Sequence, residues 1–230
     1  MSKMLKEGLI VVGGGPISME LADLARQTGR FKPIGCLDDD IEVGEEVNGL
    51  RVLGKLADAE DVAENNRSRC LRTLPRFIVG FGSQGFDIIP QAVASTGLRK
   101  EAFATLVHPT AQDVMAPTVN LSEGVAVFDN TTLRNRVKVG PHSIILDHGS
   151  WGTDASLGAY GIVDPLVVVA EGAQVGIGAH LGAGSTIGPY VRIADGKFVP
   201  AGGRVPRSVG SDETIDPIPF STQRDRKPGR

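Results

Sequence analysis

Residues 121–210 decide the fold, and in blocks of six they read LSEGVA VFDNTT LRNRVK VGPHSI ILDHGS WGTDAS LGAYGI VDPLVV VAEGAQ VGIGAH LGAGST IGPYVR IADGKF VPAGGR VPRSVG. The first residue of each block, beginning with Leu121, is Leu, Ile or Val in fourteen of the fifteen blocks, and Trp151 is the exception. The fifth residue is usually small, as at Thr131, Ser143, Gly149, Ala155, Gly161, Ala173, Ala179, Ser185 and Gly203. Lys197 departs from that rule.

This period of six excludes ordinary secondary structure, because a strand repeats every two residues and an α-helix every 3.6. A repeated aliphatic residue with a small partner is the hexapeptide signature of a parallel β-helix. Three blocks make one triangular coil, so residues 121–210 predict five coils and a prism roughly 20–25 Å long. We expect the aliphatic residues to fill the interior and the small ones to let the chain turn at the corners.

The first forty residues have a different pattern, typical of alternating strands and helices. Leu9–Val12 is a continuous apolar run, as expected for a strand buried on both faces of a parallel sheet. A glycine turn at 13–16 follows, and residues 17–27 carry apolar side chains at helical spacing. Pro33–Leu37 predicts a second strand, which ends in three acids.

The same alternation continues to about residue 104. Arg76–Gly80 predicts another buried strand, and a glycine-containing turn and a helical segment around 88–93 follow it. Alternating elements of this kind predict an α/β domain with a parallel, Rossmann-like sheet. We therefore predict a Rossmann-like domain over 1–104, a left-handed β-helix domain over 105–210, and a flexible tail over 211–230, which has prolines, mixed charge and no periodicity.

The glycine turn and the acids after the second strand are candidate acceptor-binding residues. Backbone N–H groups in such a turn can approach a phosphate, and acids at that strand end can accept hydrogen bonds from a ribose or base. The residues concerned are Gly13, Gly14, Gly15, Asp38 and Asp39. The G-x-G-x-x-G pattern is incomplete, so a turn that simply needs glycine, followed by a solvated acidic loop, is the alternative interpretation.

Charge, hydropathy and cysteine spacing argue against several classes of function. The net charge of -3 offers no attraction to nucleic acid or to an anionic membrane. No segment approaches the roughly 20 apolar residues of a membrane span, and residues 1–20 show no signal-peptide pattern. Cys36 and Cys70 have no metal or redox spacing, so no metal site is predicted and a cytoplasmic location is expected.

The two halves in this order resemble the sialic acid O-acetyltransferase and UDP-bacillosamine N-acetyltransferase family of sugar acyltransferases. The resemblance runs from about Leu9 to Val209 and is carried by the glycine turn, by Gly35-Cys36-Leu37-Asp38-Asp39, by Leu106-Val107-His108-Pro109-Thr110-Ala111 and by the hexads ending Pro200-Ala201-Gly202-Gly203. It implies a homotrimer that binds a nucleotide-sugar through the N-terminal domain. It also implies acetyl-CoA, or another acyl-CoA, as co-substrate along the prism between two subunits.

The sequence departs from that family at its histidines. The family's general base falls at Thr153, with Asp154 in the position of the acid that raises its basicity. A threonine hydroxyl does not accept protons near pH 7, so a contribution of about 10²–10⁴ to the rate would be lost. A second family histidine falls at Ile17, and a third, which touches acetyl-CoA, falls at Ile162.

Other residues could take over these roles. His148, preceded by Asp147, lies one hexad before the expected place and is the candidate base, although a solvated surface histidine is the commoner case. His142 is a weaker candidate, and His108 is expected to be structural. Glu171 lies one coil after Thr153 and could supply a carboxylate or be merely solvated.

The resemblance also marks a column for acyl-CoA. Ile162 and His180 stand one coil apart in the column that contacts acetyl-CoA, and Ala183 and Ala201 occupy further CoA positions. The activity implied is acyl transfer from acyl-CoA to an amine or hydroxyl of a sugar-nucleotide-like acceptor.

Three alternatives remain open. A homologue that keeps the trimer and a ligand pocket but has lost acyl transfer is the main rival. A γ-class carbonic anhydrase has this architecture, but its zinc needs two histidines in one column, and His142, His148 and His180 do not share one. A nicotinamide dehydrogenase would leave half the chain unused.

Overall fold

A computed structural model of the chain describes residues 6–68, 73–81, 88–114 and 117–215. In the N-terminal part these residues form β1 (Glu7–Val12), α1 (Pro16–Gln27), β2 (Phe31–Leu37), β3 (Glu46–Val47), β4 (Leu50–Gly54), α2 (Ala59–Asn65), β5 (Arg76–Val79) and α3 (Ile89–Ser95). Two short 3-10 helices span Leu56–Asp58 and Lys100–Ala102. Cys70 and the predicted turn Gly82-Ser83-Gln84 lie outside the described residues.

The N-terminal sheet has the order β3-β4-β2-β1-β5. β1 pairs in parallel with β2 and β5, and β2 pairs in parallel with β4, so the predicted Rossmann-like sheet is confirmed. β3 is antiparallel to β4. The hairpin between them turns at Asn48-Gly49, where both residues have positive φ, as a two-residue turn of the Asn-Gly type requires.

The rest of the chain winds into a three-sided prism of two-residue strands. Face 1 contains β7 (Asn120–Leu121), β10 (Lys138–Val139), β13 (Ser156–Leu157), β16 (Gln174–Val175) and β19 (Arg192–Ile193). Face 2 contains β6 (Leu106–Val107), β8 (Ala126–Val127), β11 (Ile144–Ile145), β14 (Ile162–Val163), β17 (His180–Leu181) and β20 (Phe198–Val199). Face 3 contains β9 (Thr132–Leu133), β12 (Ser150–Trp151), β15 (Val168–Val169), β18 (Thr186–Ile187) and β21 (Arg204–Val205). The predicted left-handed β-helix is confirmed.

From β7 onward, each strand pairs in parallel with the strand 18 residues away, as Ile162 does with His180. In β6, Leu106 pairs with Ala126, 20 residues further on. The first residue of each hexad points inward, and Trp151 is fully buried among the aliphatic residues. The small residues at the fifth position are buried too. The corner is instead made one residue earlier, at positions with positive φ in fourteen successive hexads, from Gly124 (φ 70°) to Gly202 (φ 68°). The expectation that the small residues make the turn is therefore wrong: they are small because they point into a narrow interior.

The three corners are named by the faces they join. Corner A joins face 1 to face 2 and holds Glu123-Gly124, Pro141-His142, Ala159-Tyr160, Ile177-Gly178 and Asp195-Gly196. Corner B joins face 2 to face 3 and holds Asp129-Asn130, Asp147-His148, Pro165-Leu166, Ala183-Gly184 and Ala201-Gly202. Corner C joins face 3 to face 1 and holds Asn135-Arg136, Thr153-Asp154, Glu171-Gly172 and Pro189-Tyr190.

The N-terminal domain packs on face 2. The outward side chains of Ala126 and Ile144 share a buried apolar cluster with Leu21 of α1. One coil further on, Ile162 joins a second cluster with Val12 and Val79, the last residues of β1 and β5. The carboxyl ends of these strands therefore lie at the level of Ile162, and that edge is where open α/β sheets bind ligands.

The C-terminal end of the prism is closed by residues 208–213. The ammonium of Lys197 donates to the carbonyl oxygens of Ser211 and Glu213, at 2.5 and 2.6 Å. These bonds explain how a lysine replaces a small residue in this last coil, where its tip reaches the closing segment. The predicted tail lies outside the described residues from 216 onward. No helix in the described part of the chain is long and apolar enough to span a membrane.

Candidate active site

The glycine turn is held by side chains from two neighbouring strands. The Asp38 carboxylate accepts a hydrogen bond from the Gly14 N–H at 2.7 Å, and the Asn48 side chain donates to the Gly14 carbonyl at 2.8 Å. Gly13 has φ 102°, and a Cβ there would lie 3.1 Å from the carbonyl oxygen of Gly80. Gly15 is exposed, and a Cβ there would meet no atom within 4 Å. Gly15, at the start of α1, is therefore the open part of the turn.

The two acids after β2 are largely occupied by backbone donors. The second oxygen of Asp38 accepts from the N–H groups of Asp40 and Ile41, at 2.9 and 3.1 Å. Asp39 accepts from the N–H of Leu56 at 2.8 Å. The structure thus brings Asp38 to the glycine turn as predicted. Its first task is to shape the turn, and any contact with a ligand uses the remaining lone pairs.

Two of the positions where the resemblance places histidines are part of the core. Ile17 packs in the apolar cluster that includes Phe128 and, at its edge, Leu146 of the prism. Ile162 packs in the cluster at the carboxyl ends of β1 and β5. Both side chains are buried and aliphatic, so neither position offers a group that can exchange a proton.

His180 is the next outward side chain after Ile162 on face 2. Its ring is 6% exposed, and its Nε2 lies 3.1 Å from Oδ2 of Asp164, with the ring of Phe198 at 5.0 Å between centroids. The sequence analysis did not connect Asp164 with His180, which meet because their strands lie in consecutive coils of face 2. The structure places the pair directly beyond the footprint of the N-terminal domain on face 2.

Corner B brings several candidates into one column. His148 is exposed there, with φ 59°, and Ala183 and Ala201 follow on the same corner, two and three coils later. The carboxyl of Asp147 meets that of Asp129, one coil earlier. Burial, chiefly, with the nearby Asp129 carboxyl, raises the pKa of Asp147 to about 6.

The acid pair at corner B also faces the N-terminal domain. Glu20 of α1 is close enough to raise the pKa of Asp147 further, whereas His148 lowers it. α1 begins directly after the glycine turn, so corner B and the candidate acceptor-binding turn adjoin within one chain. The sequence analysis did not predict that Asp129 and Glu20 approach Asp147. The one signal for it is the spacing of 18 residues between Asp129 and Asp147, which places them one coil apart.

Thr153 and Asp154 lie on corner C, separated from His148 by the strand Ser150–Trp151. The Arg136 guanidinium donates two hydrogen bonds to the Asp154 carboxylate and lowers its pKa. One coil later, the Tyr190 hydroxyl donates to Glu171 at 2.9 Å. Within one chain, the structure therefore does not bring Thr153 and Asp154 together with His148.

The two remaining histidines have structural surroundings. His142, on corner A, is buried between the rings of Phe103 and Tyr160. His108 has its Nδ1 2.8 Å from the Thr110 hydroxyl, in the loop that opens the prism. In the described part of the chain, no group of three or more His, Cys, Asp or Glu side chains is arranged to hold a metal ion.

By its architecture, the chain falls in the class of proteins that carry a Rossmann-like domain docked on one face of a hexapeptide-repeat prism. Among solved structures, the chain is similar to a histidine mutant of perosamine N-acetyltransferase from Caulobacter crescentus in complex with CoA and GDP-perosamine. The TM-score is 0.75 and the sequences are 26% identical, over 91% of this chain and 97% of that one. It is also similar to the acetyltransferase domain of PglB from Neisseria gonorrhoeae in complex with acetyl coenzyme A, with a TM-score of 0.76, 19% identity, and coverage of 91% and 96%.

No protein-family model matches the sequence, and no curated protein matches it either. The resemblance to sugar acetyltransferases of the hexapeptide type is confirmed at the level of fold and chain architecture, since both structures are covered almost end to end. Both are described with CoA or acetyl-CoA bound.

Proposed function

We propose that the chain is an acyl-CoA-dependent acyltransferase that acts on an amine or hydroxyl of a sugar-nucleotide-like acceptor. The observation that carries the proposal is the junction of the two domains at corner B. There Glu20 of the helix that follows the glycine turn approaches Asp147. Ala183 and Ala201, where the family resemblance places acyl-CoA, lie two and three coils further along the same corner. The similarity to perosamine N-acetyltransferase with CoA and GDP-perosamine supports the same pairing of ligands.

The acceptor would bind at the carboxyl edge of the N-terminal sheet. Gly15 and the start of α1 offer N–H groups to a phosphate, while Asp38 and Asp39 accept from a ribose or base with their remaining lone pairs. Acyl-CoA would lie along corner B and the adjoining part of face 2, near His180 and its neighbour Asp164. The side chain of Ile162 is buried against the N-terminal domain, so we assign it no contact with acyl-CoA. We further propose a homotrimer, since a second chain can bring its corner C to this junction.

In the reaction, the acceptor nitrogen or oxygen attacks the thioester carbonyl carbon and the carbon–sulfur bond breaks. The CoA sulfur leaves as a thiolate and is protonated, while the acceptor gives up one proton. Imidazole is the usual group to take such a proton near neutral pH. His148 is exposed on corner B beside the acid pair Asp129 and Asp147, so we assign the proton to it.

A second function is favoured by the state of the histidine positions. Ile17 and Ile162 are buried, and Asp154 is paired with Arg136 rather than with a base. A homologue that binds nucleotide-sugar or acyl-CoA without transfer fits these three observations equally well.

One assay and one binding measurement separate the two functions. Thiol release from acetyl-CoA is followed with pooled amino-sugar nucleotides, with the acceptor omitted as the control, and binding of each ligand is measured by calorimetry. Acceptor-dependent thiol release supports the transferase. Binding of both ligands without release supports the diverged homologue, and no binding of either ligand contradicts both.

A further inference from the structure

His142 lies at the joint between the two domains and is almost completely buried. Its side chain is 5% exposed. By contrast, His148 and Asp154, at the same hexad position on the next two corners, are both exposed. The ring of Phe103 meets it edge-on at 4.6 Å between centroids, and the ring of Tyr160 stacks on it at 5.8 Å. The imidazole is thus enclosed by aromatic rings on two sides.

The third side is closed by the coil below. A Cβ on Gly124 would lie 2.4 Å from Nδ1 of His142, so this nitrogen rests directly on the glycine backbone. Nδ1 is buried and has no hydrogen-bond partner among the described residues. A neutral imidazole tolerates this place, but a protonated one would bury an N–H donor and a positive charge with nothing to accept them.

The rings that enclose His142 belong to both domains. Phe103 is in the N-terminal domain, where its carbonyl accepts from Arg76 at 3.1 Å and its side chain packs with Phe77. Tyr160 is on the prism and packs against the same cluster. Parting the domains would therefore remove the Phe103 ring from the imidazole and open it to water.

The charged groups around the joint do not replace the missing acceptor. On the prism, Glu123 favours the charged imidazole, but burial outweighs it and the pKa of His142 is lowered. On the N-terminal domain, Arg76 donates to the Phe103 carbonyl, and Lys100 and Glu101 belong to the 3-10 helix just before Phe103.

We propose that His142 is a proton-sensitive latch, which holds the N-terminal domain on the prism while neutral and releases it when protonated. Proton linkage determines how the free energy of docking changes with pH. The docked imidazole has the lower pKa, so the undocked state binds more protons and docking weakens as the pH falls below 6.5, the ordinary pKa of histidine. Between the two pKa values the undocking equilibrium shifts by about tenfold per pH unit.

At the other edge of the joint, Asp147 acts in the opposite sense. Its pKa is raised to about 6, so its ionisation disfavours the docked state as the pH rises. The latch operates whether or not the chain transfers acyl groups, because only the contact between the domains is involved.

The test combines a proton titration with hydrogen exchange on the full chain. The imidazole C–H resonances are followed by NMR from pH 8 to pH 5. Exchange is measured in peptides that contain Ala104, which is buried at the joint in one cluster with Ala126 and Ile144 of the prism. After correction for intrinsic rates, we expect His142 to titrate below pH 6.5 and exchange at Ala104 to rise as it does. His142→Phe keeps the ring and removes the proton, so this rise disappears in it.

His148→Phe is the matched control, because His148 has the same corner conformation (φ 59° against 56°) but is exposed. It is expected to keep the pH dependence. A His142 resonance that titrates at or above pH 6.5, or a rise in exchange that survives in His142→Phe, would overturn the latch. If His142→Phe does not fold, the wild-type resonance is assigned through its proximity to the ring protons of Phe103 and Tyr160. The latch then requires that the titration of this resonance and the rise in exchange at Ala104 occur over the same pH range in the wild type.

Discussion

The Asp154 carboxylate accepts two hydrogen bonds from the Arg136 guanidinium, 2.6 Å from Nε and 2.7 Å from Nη2. The two residues are 18 positions apart and occupy the same place in consecutive coils of corner C. Both are exposed, so the pair contributes little to the stability of the fold. Its importance is chemical, because the acid that would assist a base at position 153 already has a cationic partner.

This pair predicts how a restored histidine will behave. Thr153→His places an imidazole beside Asp154, and we expect it to increase acyl transfer less than the double variant Thr153→His with Arg136→Ala, which frees the carboxylate. Thr153→Ala is the control and is expected to keep the parent rate, since an alcohol does not act as a base near pH 7. Thiol-release rates of the four proteins decide, and an equal rate in the single and double variants contradicts the role of Arg136.

His148 is expected to matter for the rate and not for the fold. His148→Ala lowers kcat about 10²-fold if His148 accepts the proton, because loss of a general base costs at least that much. The variant is expected to retain the parent melting temperature, since His148 is exposed. His108→Ala is the control, because the ring of His108 contacts Thr110 of its own loop. An unchanged rate in His148→Ala removes His148 from the mechanism.

Asp38 is expected to support acceptor binding through the shape of the glycine turn. Asp38→Ala leaves the N–H groups of Gly14, Asp40 and Ile41 without their acceptor, so the turn loses its present geometry. Calorimetry with a GDP-sugar is expected to show weaker binding than in the parent. Asp40→Ala, at an exposed neighbour, is expected to bind like the parent. Equal affinity in Asp38→Ala and the parent would leave the turn without a binding role.

Two glycines of corner A provide a matched test of packing. Gly124 and Gly178 both have positive φ, 70° and 64°, but a Cβ at 124 would strike His142 whereas one at 178 meets no atom within 4 Å. Gly178→Ala is expected to cost about 1–2 kcal/mol from backbone conformation alone. Gly124→Ala is expected to cost about 1–3 kcal/mol more through overpacking. Urea denaturation measures both, and equal losses contradict the close contact with His142.

The raised pKa of Asp147 predicts that removal of its charge stabilises the protein in a pH-dependent way. Its folded pKa of about 6 lies above the ordinary value of 3.8, so the stabilisation from the neutral carboxyl is present below pH 3.8 and lost as the pH rises through 6. Asp147→Asn keeps a neutral group beside Asp129. Its melting temperature is therefore expected to exceed the parent's at pH 7.5 and to equal it near pH 4. Calorimetric scans at the two pH values test this, and a constant difference contradicts it.

The sequence alone determined the β-helix, because every coil repeats the same local requirement. An aliphatic residue such as Val163 or Leu181 must point inward at each sixth position, and the next coil stacks on it without any long-range information. The run Leu9–Val12 and the glycines after it likewise predicted a buried strand and its turn, since that pattern is local. The pair Asn48-Gly49 is likewise a local signal, typical of a two-residue hairpin turn.

Only the tertiary structure decided which of these residues meet. The approach of Glu20 to Asp147 depends on how the N-terminal domain docks on face 2, and no periodicity in either domain encodes that docking. The same docking buries His142 against Phe103, whereas His148, at the same hexad position, stays exposed. A repeat gives every corner the same backbone, so the differences between corners come from what packs against them.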